Sequence, residues 1–145
     1  MNILVTGGAG YIGSLTCVAL LEAGYSVIIA DNLSNSKRET VEKIMDIAEK
    51  EVAFYEIDVT DSEAVNHIFI NNKIDGVIHF AGFKAVGESI EKPFDYYYNN
   101  IVSTMILAKH CQKYGVNRFV FSSSATVYGD NKAPFVETMD LLPTT

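Results

Sequence analysis

Asn2-Ile3-Leu4-Val5-Thr6-Gly7-Gly8-Ala9-Gly10-Tyr11-Ile12-Gly13 opens the chain. A short apolar run, suited to a buried parallel strand, gives way to glycines at 7, 8, 10 and 13, and a helical pattern follows. Both Gly8-x-Gly10-x-x-Gly13 and Gly7-x-x-Gly10-x-x-Gly13 can be read from it. Each glycine has a use. The chain must turn sharply off the strand, bring backbone N–H groups against a pyrophosphate with no side chain between, and seat the helix close to the sheet. The unpaired N–H groups and partial positive charge of the helix N-terminus then meet the phosphates. An ordinary glycine turn between a strand and a helix carries the same letters, so the rest of the chain has to decide.

Outward from this turn, a helix is expected over Tyr11–Ala23, with Ile12, Leu15 and Ala19 on one face and Gly24 ending it. Ser26–Asp31 is an apolar strand with a carboxylate at its C-terminal end. Asp31 stands 18 residues beyond Gly13. An acid at about that distance hydrogen-bonds the adenosine ribose in dinucleotide-binding folds, and its charge favours NAD over NADP. A solvated loop aspartate is the alternative. The polar loop Asn32–Ser36 leads to Ser36-Lys37-Arg38-Glu39, which fits a capping box, and to a helix facing the core with Val41, Ile44, Met45 and Ala48. Strand three is read over Val52–Ile57, ending at Asp58-Val59. A second capping box, Thr60-Asp61-Ser62-Glu63, starts a helix with Ala64, Val65, Ile68 and Phe69 inward. Gly76–Phe80 is strand four, followed by Ala81-Gly82-Phe83-Lys84. Pro93 opens a long helical stretch, Phe94–Tyr114, with Ile101, Met105 and Ala108 on one face and Gly115 at its end. Arg118–Ser122 is strand five, and Asp130–Thr145 is loop-like.

The alternation predicts an α/β fold, a Rossmann-type doubly wound parallel sheet of order 3-2-1-4-5 with right-handed crossovers. Such sheets bind ligands beyond the carboxyl ends of their strands, where the order reverses. The glycine turn, Asp31, Asp58, Phe80–Lys84 and Ser122–Ser124 all follow strand ends, so separate candidates converge on one edge.

The 145 residues are read as one domain, with 48% hydrophobic and 20% charged residues. A net charge of −7 argues against a general nucleic-acid or anionic-membrane binder. No apolar run reaches the length of a membrane span, and the opening strand leaves no signal-peptide pattern, so a cytoplasmic protein is expected. Cys17 and Cys111 read as small core residues in a reducing compartment. His79 reads as a satisfied core histidine, and His67 and His110 as surface or boundary residues. No Cys/His/Asp grouping has metal spacing.

At this point the chain resembles the extended short-chain dehydrogenase/reductase superfamily, and within it the UDP-glucose 4-epimerase family. The glycine turn and Asp31-Asn32-Leu33-Ser34-Asn35-Ser36 carry the broader likeness. His79 through Ser89, Tyr96-Tyr97-Tyr98-Asn99-Asn100 and Phe121-Ser122-Ser123-Ser124-Ala125-Thr126-Val127-Tyr128-Gly129 carry the narrower one. The resemblance implies NAD as cofactor, with Gly7, Gly10 and Gly13 forming the turn and Tyr11 and Ile12 giving N–H groups to the pyrophosphate. Asp31 would bind the adenine ribose. Asn32, Leu33, Asn35 and Ser36 would line the adenosine, and Asp58 and Val59 would flank the adenine. Phe80, Ala81 and Gly82 would run along the nicotinamide side, Lys84 would reach the ribose or phosphates, and Asn99 would lie at the cofactor. Ser124 would hydrogen-bond the 4-hydroxyl of a UDP-sugar.

The reaction so implied oxidises that hydroxyl, turns the 4-keto sugar over and returns the hydride to its other face, interconverting UDP-galactose and UDP-glucose. A tyrosine with a lysine-lowered pKa takes the proton in that family. Its Tyr-x-x-x-Lys motif belongs to a helix after strand five, beyond Thr145, and no tyrosine of this chain is expected to substitute. The resemblance therefore implies an amino-terminal fragment, residues 1–145 of an NAD-binding domain, inactive alone and homodimeric when full length. Such a fragment is expected to show apolar helix surface and an open strand-five edge. Related dehydratases need an acid pair after the catalytic Ser or Thr, and Ala125 and Thr126 cannot do that work. An epimerase or decarboxylase for another UDP-sugar stays open, as does a non-catalytic NAD-binding module. For Ser124 the alternative is a loop serine capping local backbone.

Overall fold

The structure is a computed structural model and describes residues 1–143. Five strands form one parallel sheet: β1 (Asn2–Thr6), β2 (Ser26–Asp31), β3 (Ala53–Glu56), β4 (Gly76–His79) and β5 (Phe119–Phe121). Their order is β3-β2-β1-β4-β5, as expected. Thr6 lies opposite both Ala30 and His79, so the central strands end level with one another. That shared end is where the loops of the site emerge.

Side chains alternate across the strands and build two cores. On one face Leu4, Ile28 and Val77 meet Val65, Ile68 and Phe69 of α3 (Ser62–Asn71) and Leu107 and Cys111 of α6 (Ser103–Tyr114). On the other, Ile3, Val5 and Ile29 meet Cys17 and Leu21 of α1 (Tyr11–Glu22) and Val41 and Ile44 of α2 (Arg38–Ala48). Both cysteines are buried and free, and burial raises the thiols, Cys17 to about 12 with help from the Asp31 charge and Cys111 to about 11.

Several local expectations are corrected. The inward face of α1 is Gly13, Cys17 and Leu21, whereas Ile12 and Leu15 are exposed. This helix is apolar on most sides, so its periodicity does not select a face; the close approach of Gly13 to the turn does. Ser36 caps no helix: α2 begins at Arg38 without a side-chain cap, and the Ser36 hydroxyl goes to Asp31. The cap of α3 is Asp61, accepting from the N–H groups of Glu63 and Ala64, because Thr60 is engaged by Asp58. The long helical stretch is present and unbroken: α5 (Pro93–Tyr97) passes through a π-turn, Tyr98–Val102, into α6, and a short helix not expected from the sequence, α4 (Val86–Glu91), precedes it. The α6 face turned to the core is Ser103, Leu107, His110 and Cys111, while Ile101, Met105 and Ala108 are exposed. His110 is buried, with Nε2 3.2 Å from Ser62 Oγ and its ring 5.7 Å from that of Phe69.

Candidate active site

The site starts at the first turn. Gly7 has φ +70°, and a Cβ there would lie 2.6 Å from the Ala81 nitrogen. A Cβ on Gly13 would lie 2.1 Å from the Gly7 carbonyl oxygen. The two positions therefore require glycine, one for conformation and contact, the other for contact alone. Gly10 N-caps α1, and Tyr11, Ile12 and Gly13 follow with the N–H groups that a helix cannot pair internally. They open into a cavity of ≈ 410 Å³ at the strand ends.

Asp31, at the end of β2, is buried and joins two walls of this cavity. Its Oδ2 accepts from the Ala9 N–H at 3.0 Å. Its Oδ1 accepts from the Leu33 N–H and the Ser36 hydroxyl, both at 2.9 Å. One carboxylate thus holds the glycine turn and the following loop in register and keeps spare acceptor capacity on Oδ2. Beyond β3, Asp58 accepts from the Thr60 N–H at 2.8 Å, the Thr60 hydroxyl at 2.7 Å and the Asn32 amide at 3.1 Å. Partial burial raises its pKa, but these hydrogen bonds outweigh it and hold the carboxyl below its ordinary value.

At the end of β4, His79 is buried. The Thr104 hydroxyl donates to the Asn100 carbonyl at 2.8 Å and so accepts from His79 Nε2–H at 3.1 Å. Nδ1 then accepts from the Thr6 hydroxyl at 2.7 Å. Burial, aided by the Lys84 charge, lowers this imidazole to about 4. It is a neutral brace between β1, β4 and α6, in accord with the core reading. The segment Phe80–Lys84 continues from it along the cavity floor, facing Asn99 of the π-turn.

Every expected cofactor-site residue lines this one cavity except Leu33: Gly7, Gly10, Tyr11, Ile12, Gly13, Asp31, Asn32, Asn35, Ser36, Asp58, Val59, Phe80, Ala81, Gly82, Lys84 and Asn99. The Leu33 side chain packs instead against the α1–α2 core, and its contribution is the N–H given to Asp31. Ser34 and Phe83, within the expected segments Asn32–Ser36 and Phe80–Lys84, also line the cavity, as do Ala30 and Ile57, which were not singled out from the sequence. Each adjoins a residue that was, so adjacency to a strand end was the available signal.

A second cavity, ≈ 690 Å³, shares the Phe80–Lys84 wall and is closed on the other side by Ser122–Thr126. Ser124 is there. Its Oγ lies 2.7 Å from Thr126 Oγ1 and accepts from the Thr126 N–H at 3.3 Å, capping the short 3₁₀ turn Ala125–Tyr128. Tyr128 and Lys132 do have Tyr-x-x-x-Lys spacing. They are no helical pair, because the turn ends at Tyr128 and Gly129 breaks it with φ 52° and ψ −128°. The Tyr128 ring stacks on Phe135, 5.0 Å between centroids, and lines neither cavity.

Known proteins resemble this chain in sequence and fold. A family model described as the NAD dependent epimerase/dehydratase family matches residues 3–145. The chain is 57% identical over 129 residues to UDP-glucose 4-epimerase of Bacillus subtilis, covering 89% of this chain and 38% of that one. It is 53% identical over 146 aligned positions to UDP-glucose 4-epimerase of Haemophilus influenzae, covering 100% and 43%. Among solved structures it matches UDP-glucose 4-epimerase from Bifidobacterium longum in complex with NAD+ and UDP, with a TM-score of 0.96 and 46% identity over 100% of this chain and 44% of the other. The chain thus spans less than half the length of these relatives. On the family match across nearly its whole length, the chain belongs to the NAD dependent epimerase/dehydratase family.

Proposed function

We propose that this chain is the cofactor-holding part of an NAD-dependent UDP-glucose 4-epimerase that interconverts UDP-galactose and UDP-glucose. The observation that carries the reading is the pair of adjoining cavities, one running from Asp31 and Asp58 past the α1 N-terminus to Lys84, the other holding Ser124. The first fits a dinucleotide. Gly7, Gly10 and the first residues of α1 line it, where free N–H groups can meet phosphates, and Asp31 stands ready for ribose hydroxyls. NAD supplies a hydride acceptor and donor at sugar C4, so that the reaction has no net redox change.

The residues of the chain then divide the work. Tyr11 and Ile12 hold the pyrophosphate by their N–H groups, and Asp31, Asn32, Asn35 and Ser36 hold the adenosine with Asp58 and Val59 beside the adenine. Phe80, Ala81 and Gly82 run along the nicotinamide side, Lys84 reaches the ribose or phosphates beside it, and Asn99 lies at the cofactor. Ser124 exchanges its contact with Thr126 for the sugar 4-hydroxyl and orients it. Ala125 and Thr126 offer no acid–base pair for dehydration. A tyrosine–lysine pair supplied by sequence outside these residues would move the proton, and the chain alone is proposed to be inactive. A homodimer in the cytoplasm is part of the same reading; among the described residues no helix is long and apolar enough to cross a membrane.

The local cap made by Ser124 favours a second reading, a binding module without catalysis. A chimera separates the two. Joined to the remaining residues of the Bifidobacterium longum relative, the chain is expected to interconvert the two UDP-sugars, and Ser124→Ala is expected to lower kcat about a hundredfold. A folded, NAD-loaded chimera without turnover, or one indifferent to Ser124→Ala, would overturn the epimerase reading.

A further inference from the structure

Asn100 lies next to Asn99 in the π-turn and faces the loop leaving β4. π-Turns of this kind displace a side chain from the regular helical path and recur at functional sites. Here the segment carries an amide that pairs with a backbone. The Phe83 N–H donates to Asn100 Oδ1 at 2.8 Å, and Asn100 Nδ2 donates to the Phe83 carbonyl at 3.0 Å. This is the two-way pairing that one strand residue offers another, supplied by a side chain where the ladder has ended. The last bond of that ladder is Phe80 N–H to the Thr6 carbonyl, 2.9 Å.

Asn100 is itself held on two further sides. Its Oδ1 also accepts from Asn99 Nδ2 at 2.9 Å. Its carbonyl accepts from the Thr104 hydroxyl at 2.8 Å, and Thr104 connects through His79 to Thr6, the last residue of β1. A continuous set of hydrogen bonds therefore joins the strand beneath the glycine turn to the π-turn, and the π-turn to the β4 loop. Lys84 follows Phe83 directly, and the Asn99 amide donates to Asn100 Oδ1, so one side chain holds the backbone beside Lys84 and the side chain of Asn99, both of which line the first cavity. The adenosine end, at Asp31 and Asp58, has its own hydrogen bonds and none of these.

From this we infer that Asn100 is a positioning residue for the nicotinamide half of the cofactor: it sets Lys84 and Asn99 without touching the adenosine half. The inference rests on the proposed NAD-binding reading. Its consequence is a split between two ligands. ADP reaches only the adenosine and phosphate contacts, whereas NAD uses those and the Lys84–Asn99 end.

The test is titration calorimetry of the 145-residue chain with NAD and with ADP, for the native sequence, Asn100→Ala and Asn100→Asp. The aspartate keeps the shape and the acceptor but sets two oxygens against each other at Phe83, which keeps the test available if the alanine variant fails to fold. The expected result is a loss of NAD affinity of about tenfold in both variants, with ADP affinity changed by less than about twofold. Lys84→Met should reduce NAD binding in the native chain and have little further effect in Asn100→Ala. Unchanged NAD affinity in the variants overturns the inference, as does parallel loss of both ligands or failure of both variants to fold, either of which makes Asn100 merely structural. A native chain that binds ADP but gains nothing from the nicotinamide half also overturns it, while a native chain that binds neither ligand removes the NAD-binding reading itself.

Discussion

The carbonyl oxygen of Gly7 would lie 2.1 Å from a β-carbon on Gly13. This contact sets how closely α1 sits on the sheet and so where its free N–H groups lie. Gly13→Ala cannot be absorbed by a flexible side chain, because the obstacle is backbone. The substitution is expected to cost about 1–3 kcal/mol in urea unfolding and to abolish ADP and NAD binding together. Native-like binding in Gly13→Ala would mean that the close approach is unnecessary.

Asp31 offers the second case. In Asp31→Asn the amide keeps one acceptor oxygen, so either the Ala9 N–H or the Leu33–Ser36 side faces an NH₂ group. About 1–3 kcal/mol of stability should be lost, measured by thermal or urea unfolding. The same change removes the charge that opposes a 2′-phosphate, so the preference for NAD over NADP should narrow. A variant as stable as the native chain would show that these hydrogen bonds contribute nothing.

His79 gives the chain a pH dependence. Its imidazole sits near 4 when folded and near 6.5 when unfolded. Between those values the unfolded chain binds the extra proton, so stability is fully present above about pH 6.5 and declines as pH falls toward 4. The slope contributed is at most about 1.4 kcal/mol per pH unit, some 3 kcal/mol in all. His110, lowered by burial and then by Lys113, acts in the same direction. NMR titration of the His79 ring isolates the effect: it should remain neutral through pH 5. Protonation near pH 6.5 would contradict the buried network.

Apolar surface lies along the helices that follow β4. Phe94 is 85% exposed, Tyr97 67% and Met105 66%, and among the described residues β5 pairs only with β4. The chain is expected to self-associate at micromolar concentrations, by sedimentation velocity, and Phe94→Lys with Met105→Lys to shift it toward monomer. A native chain that stays monomeric throughout would rule this out.

The sheet order and the cavity wall were legible in the sequence because both follow from strand ends. A parallel α/β alternation brings residues after each strand to one edge, which places Asp31, Asp58 and Lys84 together; the spacing from Gly13 singled out Asp31, and the family resemblance gave Asp58 and Lys84 their expected roles. Helix faces and caps were less legible. In α1 nearly every position is apolar, so only the Gly7–Gly13 contact chooses its rotation. Ser36 has the letters of a cap but is drawn to Asp31, a stronger acceptor brought near by the fold. The π-turn was hidden too: the partner of its Asn100 is Phe83, 17 residues away, which local periodicity does not reveal. His110 was misread because long-range contacts, with the Phe69 ring and the Ser62 hydroxyl, cover it.

Direct binding of NAD tests the central claim. Titration calorimetry of the chain should give one NAD per chain, with NADP at least about tenfold weaker because of the Asp31 charge. Absence of NAD binding by a folded chain, or equal affinity for NAD and NADP, would contradict the account.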